Sequence, residues 1–297
     1  MRDVDEHTIT DEVIDRFKDT PDPRLKQIVE SLVHHLHDFV RDVEPSFDEW
    51  MGAIQFLTRT GQICSDSRQE FILLSDTLGV SMLVDAINHR MPEGATETTV
   101  LGPFYVEDPP VFANGADISA GQPGEPLYVD AQFTSPEGAP LAGATVDVWQ
   151  SDSEGYYDVQ RSDLEGAALR GRLFADEEGR VRFWSIAPTA YPIPYDGPVG
   201  DMLTATKRHP WRPAHLHFMV AAPGYETLVT HIFVAGDRYL ESDAVFGVKS
   251  GLIDPFPPQA PGVAPDGRRM DRRWRRLDYR FGLKRAPAAA AAPAAQR

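Results

Sequence analysis

The sequence predicts an α+β protein: a helical N-terminal segment over residues 1–99, an antiparallel β-sandwich over 100–285, and an Ala/Pro tail over 286–297. Three observations carry this. From Pro23 apolar residues recur at three- and four-residue steps, the period of a helix with one buried stripe. From Val100 the texture changes to short runs that alternate with period two between Gly- and Pro-containing turns. Within that half stands Trp211-Arg212-Pro213-Ala214-His215-Leu216-His217-Phe218, where a strand puts both histidines on one face.

Asp22 and Pro23 supply a cap and a first turn for a helix through Leu25, Ile28, Val29, Leu32, Val33, Leu36, Phe39, Val40 and Val43, which Pro45 ends. A second helix follows Ser46, with Phe47, Trp50, Met51, Ile54 and Leu57 on one stripe and Gly61 at its close. A third is expected from about Ser67 to Asn88 through Phe71, Leu74, Leu78, Met82 and Leu83. These faces are too few to close a core alone, so pairing across a two-fold axis is expected. His34, His35 and His37 lie on a polar helix side and read as a solvated face rather than a metal tract.

Among the strands, Leu127, Val129, Ala131 and Phe133 precede a turn at Pro136-Glu137-Gly138, and residues 144–149 follow. Residues 169–175 and 181–186, joined through Asp176-Glu177-Glu178-Gly179, read as a hairpin. Residues 215–221 and 227–235 form another pair around Pro223-Gly224. A last strand over 274–281 turns Leu277, Tyr279 and Phe281 inward. Its arginines, Arg268, Arg269, Arg272, Arg273, Arg275 and Arg276, read as ion-pairing or subunit-contact residues on an acidic body. The tail reads as low-complexity and disordered.

The net charge of −16 argues against nucleic acid or an anionic membrane as partner. No apolar run approaches ~20 residues, and residues 2–12 are mostly charged, unlike a signal peptide. The single cysteine, Cys64, rules out an intrachain disulfide and reads as a small buried hydrophobe. A cytoplasmic location is expected.

His215 and His217 gain meaning from Tyr157, in Gly155-Tyr156-Tyr157-Asp158, and Tyr191, in Pro188-Thr189-Ala190-Tyr191-Pro192-Ile193-Pro194. Phenolate oxygen is a hard anionic donor. Two phenolates with two imidazoles favour a hard, highly charged ion over Zn(II) or Cu(I), and Fe(III) fits best. Only a strong Lewis acid holds tyrosine ionised near neutral pH, since its ordinary pKa is about 10.

These motifs, with Leu101-Gly102-Pro103-Phe104-Tyr105 and Val148-Trp149-Gln150, resemble the intradiol ring-cleaving dioxygenases of the catechol and hydroxyquinol 1,2-dioxygenase group. The likeness spans roughly residues 71–251, and the N-terminal helices match that family's dimerisation domain in type, a region that binds lipid in relatives. The resemblance implies Fe(III) held by Tyr157, Tyr191, His215 and His217, with Arg212 as the active-site arginine. Tyr156 and Tyr195 are close neighbours, but the Gly-x-Tyr and Pro-x-x-Tyr patterns favour Tyr157 and Tyr191. It further implies a pocket of Leu73, Asp76, Val100, Gly102, Pro103, Phe104, Ile193, Pro194, Arg212 and Val245. Asp76, and His231 where catechol enzymes carry glutamine, lean toward hydroxyquinol, whose third hydroxyl a carboxylate would accept. Leu101 departs from the commonest pattern with a smaller side chain, which leaves pocket width open.

The activity so implied is O2-dependent cleavage of hydroxyquinol between its two vicinal hydroxyl-bearing carbons to 3-hydroxy-cis,cis-muconate (maleylacetate). Tyr191 would accept a diol proton and Arg212 would stabilise charge on the ring. The alternatives are catechol cleavage to cis,cis-muconate, a non-catalytic prealbumin-like binding sandwich, and a zinc hydrolase built on His215 and His217.

Overall fold

The computed structural model describes residues 3–65 and 68–287. Ser67, at the expected start of the third helix, and the tail from residue 288 lie outside the described residues. The chain forms two compact units, Met1–Gln62 and Ile63–Arg297.

The first unit holds α1 (Ile9–Asp15), α2 (Pro23–Val43) and α3 (Phe47–Gln62). The cap of α2 forms where its sequence requires it. Asp22 Oδ1 accepts from the Arg24 and Leu25 amides at 2.8 and 3.2 Å, and Pro23 opens the helix. For α3, Ser46 and Glu49 cap each other's amides at 3.3 and 2.8 Å, the reciprocal arrangement of a capping box. The seven-residue α1 is too short to leave a periodic signal. The apolar stripe of α2 is open to solvent along Leu25, Ile28, Leu32, Leu36, Phe39 and Val43, and so are Phe47, Trp50, Met51 and Ile54 of α3. His34 and His35 are exposed, while His37 Nδ1 meets the Thr10 hydroxyl at 3.0 Å.

In the second unit, the expected third helix is two helices, α4 (Glu70–Thr77) and α5 (Val80–Asn88). Gly79 breaks the run with φ +74°, a left-handed conformation that glycine adopts without steric cost. These helices fall in the same compact unit as the strands, although their sequence texture groups them with the N-terminal helices. Cys64 is half-exposed rather than buried.

Among the described residues thirteen strands follow: β1 (Pro126–Thr134), β2 (Thr145–Trp149), β3 (Arg170–Phe174), β4 (Arg180–Ile186), β5 (Tyr191–Pro192), β6 (Trp211–Arg212), β7 (His215–Ala221), β8 (Leu228–Val234), β9 (Ile253–Asp254), β10 (Pro258–Gln259), β11 (Gly262–Val263), β12 (Arg269–Met270) and β13 (Trp274–Gly282). They build a sheet in the order β10-β13-β1-β4, a second in the order β3-β2-β7-β8-β9, and the small pairs β11-β12 and β5-β6. The two large sheets share one core. Val129, Phe133, Phe183, Leu277 and Phe281 of the first meet Val146, Val148, Leu173, Leu216, Phe218 and Val220 of the second. Phe281 stacks on Phe133 at 5.0 Å within its sheet and touches Phe218 across the core at 4.7 Å.

Two expectations about the strands are corrected. The sandwich is mixed, not purely antiparallel, because β13 lies parallel to β1 and β9 parallel to β8. Long connections precede both strands, which lets them enter in that direction. β3 and β4 are not a hairpin: β3 pairs with β2 and β4 with β1, so the turn over 176–179 carries the chain from one sheet to the other. Both runs bury the same alternate residues against the shared core, so their pattern is identical in either arrangement. A short helix absent from the sequence reading, α6 (Pro198–Ala205), follows β5. The arginines of the last strand do pair internally. Arg273 and Arg275 both reach Glu125, at 2.9 and 2.7 Å, and Arg276 reaches Asp278 at 2.6 Å.

Candidate metal centre and substrate cleft

Strand alternation builds the site on the outer face of the five-stranded sheet. Leu216, Phe218 and Val220 point into the core, so His215 and His217 point away from it. Antiparallel pairing sets His231 of β8 directly opposite His217. Tyr191 of β5 pairs with Arg212 of β6, which brings the arginine beside the phenol. Tyr157 follows β2 at the entry to a 3-10 turn, where its amide donates to Gln160 Oε1 at 2.9 Å. Gly155 lets the two tyrosine segments approach, since a Cβ there would lie 2.9 Å from Tyr191 Cβ.

The four side chains converge. Tyr157 Oη is 2.8 Å from His217 Nε2 and 3.3 Å from Tyr191 Oη, and the Nε2 atoms of His215 and His217 are 3.1 Å apart. All four residues are buried. Spacings near 3 Å suit donors that share one cation at bond lengths of about 2.0–2.2 Å. His215 Nδ1 donates to the Pro213 carbonyl at 2.7 Å, which leaves its Nε2 lone pair free to ligate. Burial, then Tyr191, hold the Tyr157 phenol well above 10, so without a cation it keeps its proton. Burial and Arg212 bring His215 down to about 3, and burial with His215 brings His217 well below 6.5, so both rings are neutral, the form that can ligate a metal. Donor type, spacing and protonation fit Fe(III).

Arg212 is buried and paired with Asp243, Nε–Oδ1 at 3.1 Å and Nη2–Oδ2 at 3.2 Å. Its Nη1 and Nη2 stand 3.5 Å from His215 Nε2 and His231 Nδ1. Burial opposes the charge, but the adjacent Asp243 carboxylate more than offsets it and keeps the guanidinium ionised. A second buried pair, Arg170–Asp158, adjoins Tyr157, and Arg170 also donates to the Phe104 carbonyl at 3.0 Å.

A cleft lies among Arg68, Leu73, Asp76, Pro103, Phe104 and Pro194. Phe104 stacks on Tyr157 at 4.4 Å. Asp76 is buried, and burial raises its carboxyl above the usual range while Ser81 and Arg212 oppose the rise. Gly102 lies against His217: a Cβ on it would be 3.6 Å from Cε1. The Val100 backbone bears on His231. Ile193 and Val245 are buried next to the backbone that carries Tyr191 and Asp243, with the Val245 amide on Asp243 Oδ1 at 3.3 Å. Tyr156 and Tyr195 are exposed, unlike the buried Tyr157 and Tyr191.

Profile comparison matches residues 22–96 to "Catechol dioxygenase N terminus" and 100–274 to "Dioxygenase". The chain belongs to the intradiol ring-cleavage dioxygenase family. It is 57% identical to 6-chlorohydroxyquinol 1,2-dioxygenase of Cupriavidus pinatubonensis, over 95% of this chain and 99% of that protein. It is 53% identical to hydroxyquinol 1,2-dioxygenase of Rhodococcus opacus, over 92% of each. Among solved structures, hydroxyquinol 1,2-dioxygenase from Pseudomonas putida DLL-E4 superposes with a TM-score of 0.89 at 48% identity, covering 95% of this chain and 99% of that one. As an intradiol dioxygenase the chain is an enzyme, which sets aside both the binding sandwich and the zinc hydrolase.

The sequence reading assigned no role to Asp243 or to the Arg170–Asp158 pair, and it marked His231 only as a sign of hydroxyquinol preference, not as a neighbour of His217. For His231 a signal existed, because a hairpin centred on Gly224 places residue 231 opposite 217. His215, His217 and His231 together form a group whose ligand atoms lie within 4.8 Å of one another.

These buried neutral histidines give the metal-free protein an acid limb that starts above the carboxylate range. The unfolded chain binds protons below 6.5, whereas folded His215 does so only near 3. The unfolded state therefore gains protons first, and stability falls as pH drops from 6.5 toward 3. Urea midpoints of metal-free protein should decline already between pH 6.5 and 5, and His215→Gln should flatten that decline. A midpoint flat down to pH 5 would contradict neutral burial.

Proposed function

We propose that this enzyme cleaves hydroxyquinol between its vicinal hydroxyl-bearing carbons with O2, using Fe(III) held by Tyr157, Tyr191, His215 and His217. The observation that carries the reading is the convergence of two phenols and two imidazoles at about 3 Å beside a cleft that contains a buried carboxylate, Asp76. Likeness to relatives named for hydroxyquinol and 6-chlorohydroxyquinol supports the substrate assignment. Catechol is the second reading, since catechol 1,2-dioxygenase of Pseudomonas arvilla C-1 shares the fold at a TM-score of 0.82 with 31% identity.

When bound, Fe(III) supplies the Lewis acidity that favours the ionised diol and activates the ring toward O2. The residues do the rest. Tyr191 accepts one diol proton at its Oη. Arg212, held ionised by Asp243, stabilises negative charge that develops on the ring. Phe104, Pro103 and Pro194 form apolar walls that exclude water around the reacting carbons. Asp76 accepts a hydrogen bond from the third ring hydroxyl.

The protein acts as a cytoplasmic homodimer in this reading, and no described helix is long and apolar enough to cross a membrane. The open stripes of α2 and α3 pair with a second copy and provide the apolar surface for a bound lipid.

Purified protein should be red to burgundy from phenolate-to-Fe(III) charge transfer, with close to one iron per chain. His217→Ala should lose the metal, and Tyr157→Phe should weaken binding and shift the absorption band. Colourless, metal-free protein with full activity would sink the assignment.

Sedimentation at micromolar concentration should give a dimer. Finding only monomer removes the two-fold pairing.

Oxygen uptake should favour hydroxyquinol over catechol by roughly tenfold to a hundredfold, the factor for a charge-assisted hydrogen bond of about 1.5–3 kcal/mol. Asp76→Ala should lower kcat/KM for hydroxyquinol, leave catechol equal or better, and keep the iron band. Equal loss for both substrates would make Asp76 structural, and wild-type preference for catechol would favour the second reading.

A further inference from the structure

The two histidines of β7 are held in different ways. His215 is oriented through its Nδ1 hydrogen bond to Pro213. His217 Nδ1 is buried with no hydrogen-bond partner among the described residues. Metal-ligating histidines almost always donate that second N–H to an acceptor, which fixes the plane of the ring. Something else must set the plane of His217.

Trp149 stands directly opposite His217 in the β2–β7 register, and its indole lies over the imidazole with centroids 4.5 Å apart and planes 17° from parallel. From the neighbouring strand His231 meets the same imidazole edge-on, at 4.1 Å and 72°. The ring is thus confined by a flat face and an edge. The pairing continues outward, so that Arg170, Trp149, His217 and His231 form one transverse row across β3, β2, β7 and β8. Trp149 is itself fixed. It is fully buried, and Tyr105 packs on it at 5.1 Å. The Tyr105 hydroxyl donates to Asp147 Oδ2 at 3.0 Å, and Asp147 is paired through both oxygens with Arg172, at 2.7 and 2.8 Å. The indole N–H has no partner among the described residues either. What this side chain contributes is therefore its flat ring, not a hydrogen bond.

We infer that Trp149 is a positioning residue: it fixes the plane of His217 by stacking, in place of the missing Nδ1 hydrogen bond. The inference rests on the reading that His217 Nε2 ligates iron. A ring fixed by stacking keeps Nε2 directed at the other three donors, whereas a freely tilting ring would lose the ion faster and ligate it less uniformly.

The test uses the full-length, iron-loaded protein with Trp149→Phe and Trp149→Leu compared at matched iron content. The readouts are the rate of iron loss to a chelator, the visible phenolate-to-iron band, and kcat and KM separately. Trp149→Phe keeps a stackable ring and should lose iron within about twofold of the wild-type rate, while Trp149→Leu should lose it about tenfold faster, the low end of the range for removing a partner of a metal ligand. The leucine variant should also shift the band and lower kcat with KM nearly unchanged. Equal behaviour of Phe and Leu, whether both like wild type or both impaired, would overturn the stacking role. Should the leucine variant fail to fold, Tyr105→Leu removes the ring behind Trp149, and iron loss there should be faster than in wild type; no rise would overturn the inference. Wild-type protein that takes up no iron would overturn the metal reading first, and this one with it.

Discussion

Everything in the catalytic half depends on one geometric constraint, the two-faced character of β7. Its even-numbered residues, Leu216, Phe218 and Val220, belong to the core that holds the two sheets together. Its odd-numbered residues, His215 and His217, stand on the opposite face among the tyrosines and Arg212. The strand cannot shift by one residue without exposing the core side chains and burying the imidazoles among them. Core stability thus pins the positions of the imidazoles, and β2 and β8 on either side carry that register to Trp149 and His231.

Loops bring the remaining donors, and buried ion pairs hold those loops. Arg212–Asp243 ties β6 to the segment that carries Val245. Arg170–Asp158 ties the end of β3 to the turn after Tyr157 and, through the Phe104 carbonyl, to the cleft wall. Removing one partner of such a pair leaves a buried, uncompensated charge and costs about 3–5 kcal/mol, more than the pair itself contributes. These charges therefore matter for where the site residues stand more than for how stable the fold is. Arg68 works in the same manner at the cleft: it contacts Glu70 at 2.9 Å and Asp196 at 2.9 Å, joining α4 to the loop that carries Pro194.

The site combines neutral and ionised groups under one degree of burial, and neighbours decide which is which. Burial first, and then the fixed guanidinium beside it, disfavour a proton on His215, so it stays neutral. Asp243, under comparable burial, keeps its charge because the same guanidinium attracts it. Arg212 thus helps keep the imidazoles neutral and its own carboxylate ionised, while burial keeps the Tyr157 phenol protonated in the absence of a cation.

By itself the sequence determined the local features. The stripe of α2 with its Asp22 cap and the alternation of β1, β7 and β13, which puts His215 and His217 on one face, were legible because each follows from spacing of two or of three to four residues. What needed tertiary structure was every relation between distant segments. The same alternation in β3 and β4 fits a hairpin or two separate sheets, and only packing on the shared core separates them. The parallel entry of β13 leaves no local trace, because pleat and burial are alike in either direction. Gly79 was visible as a residue, but not the left-handed φ by which it splits one helix into two. Asp243, Arg170 and the flat contact of Trp149 on His217 were beyond reach for the same reason: a buried partner is chosen by cross-strand register and loop closure, and those are fixed only when the sheets have assembled.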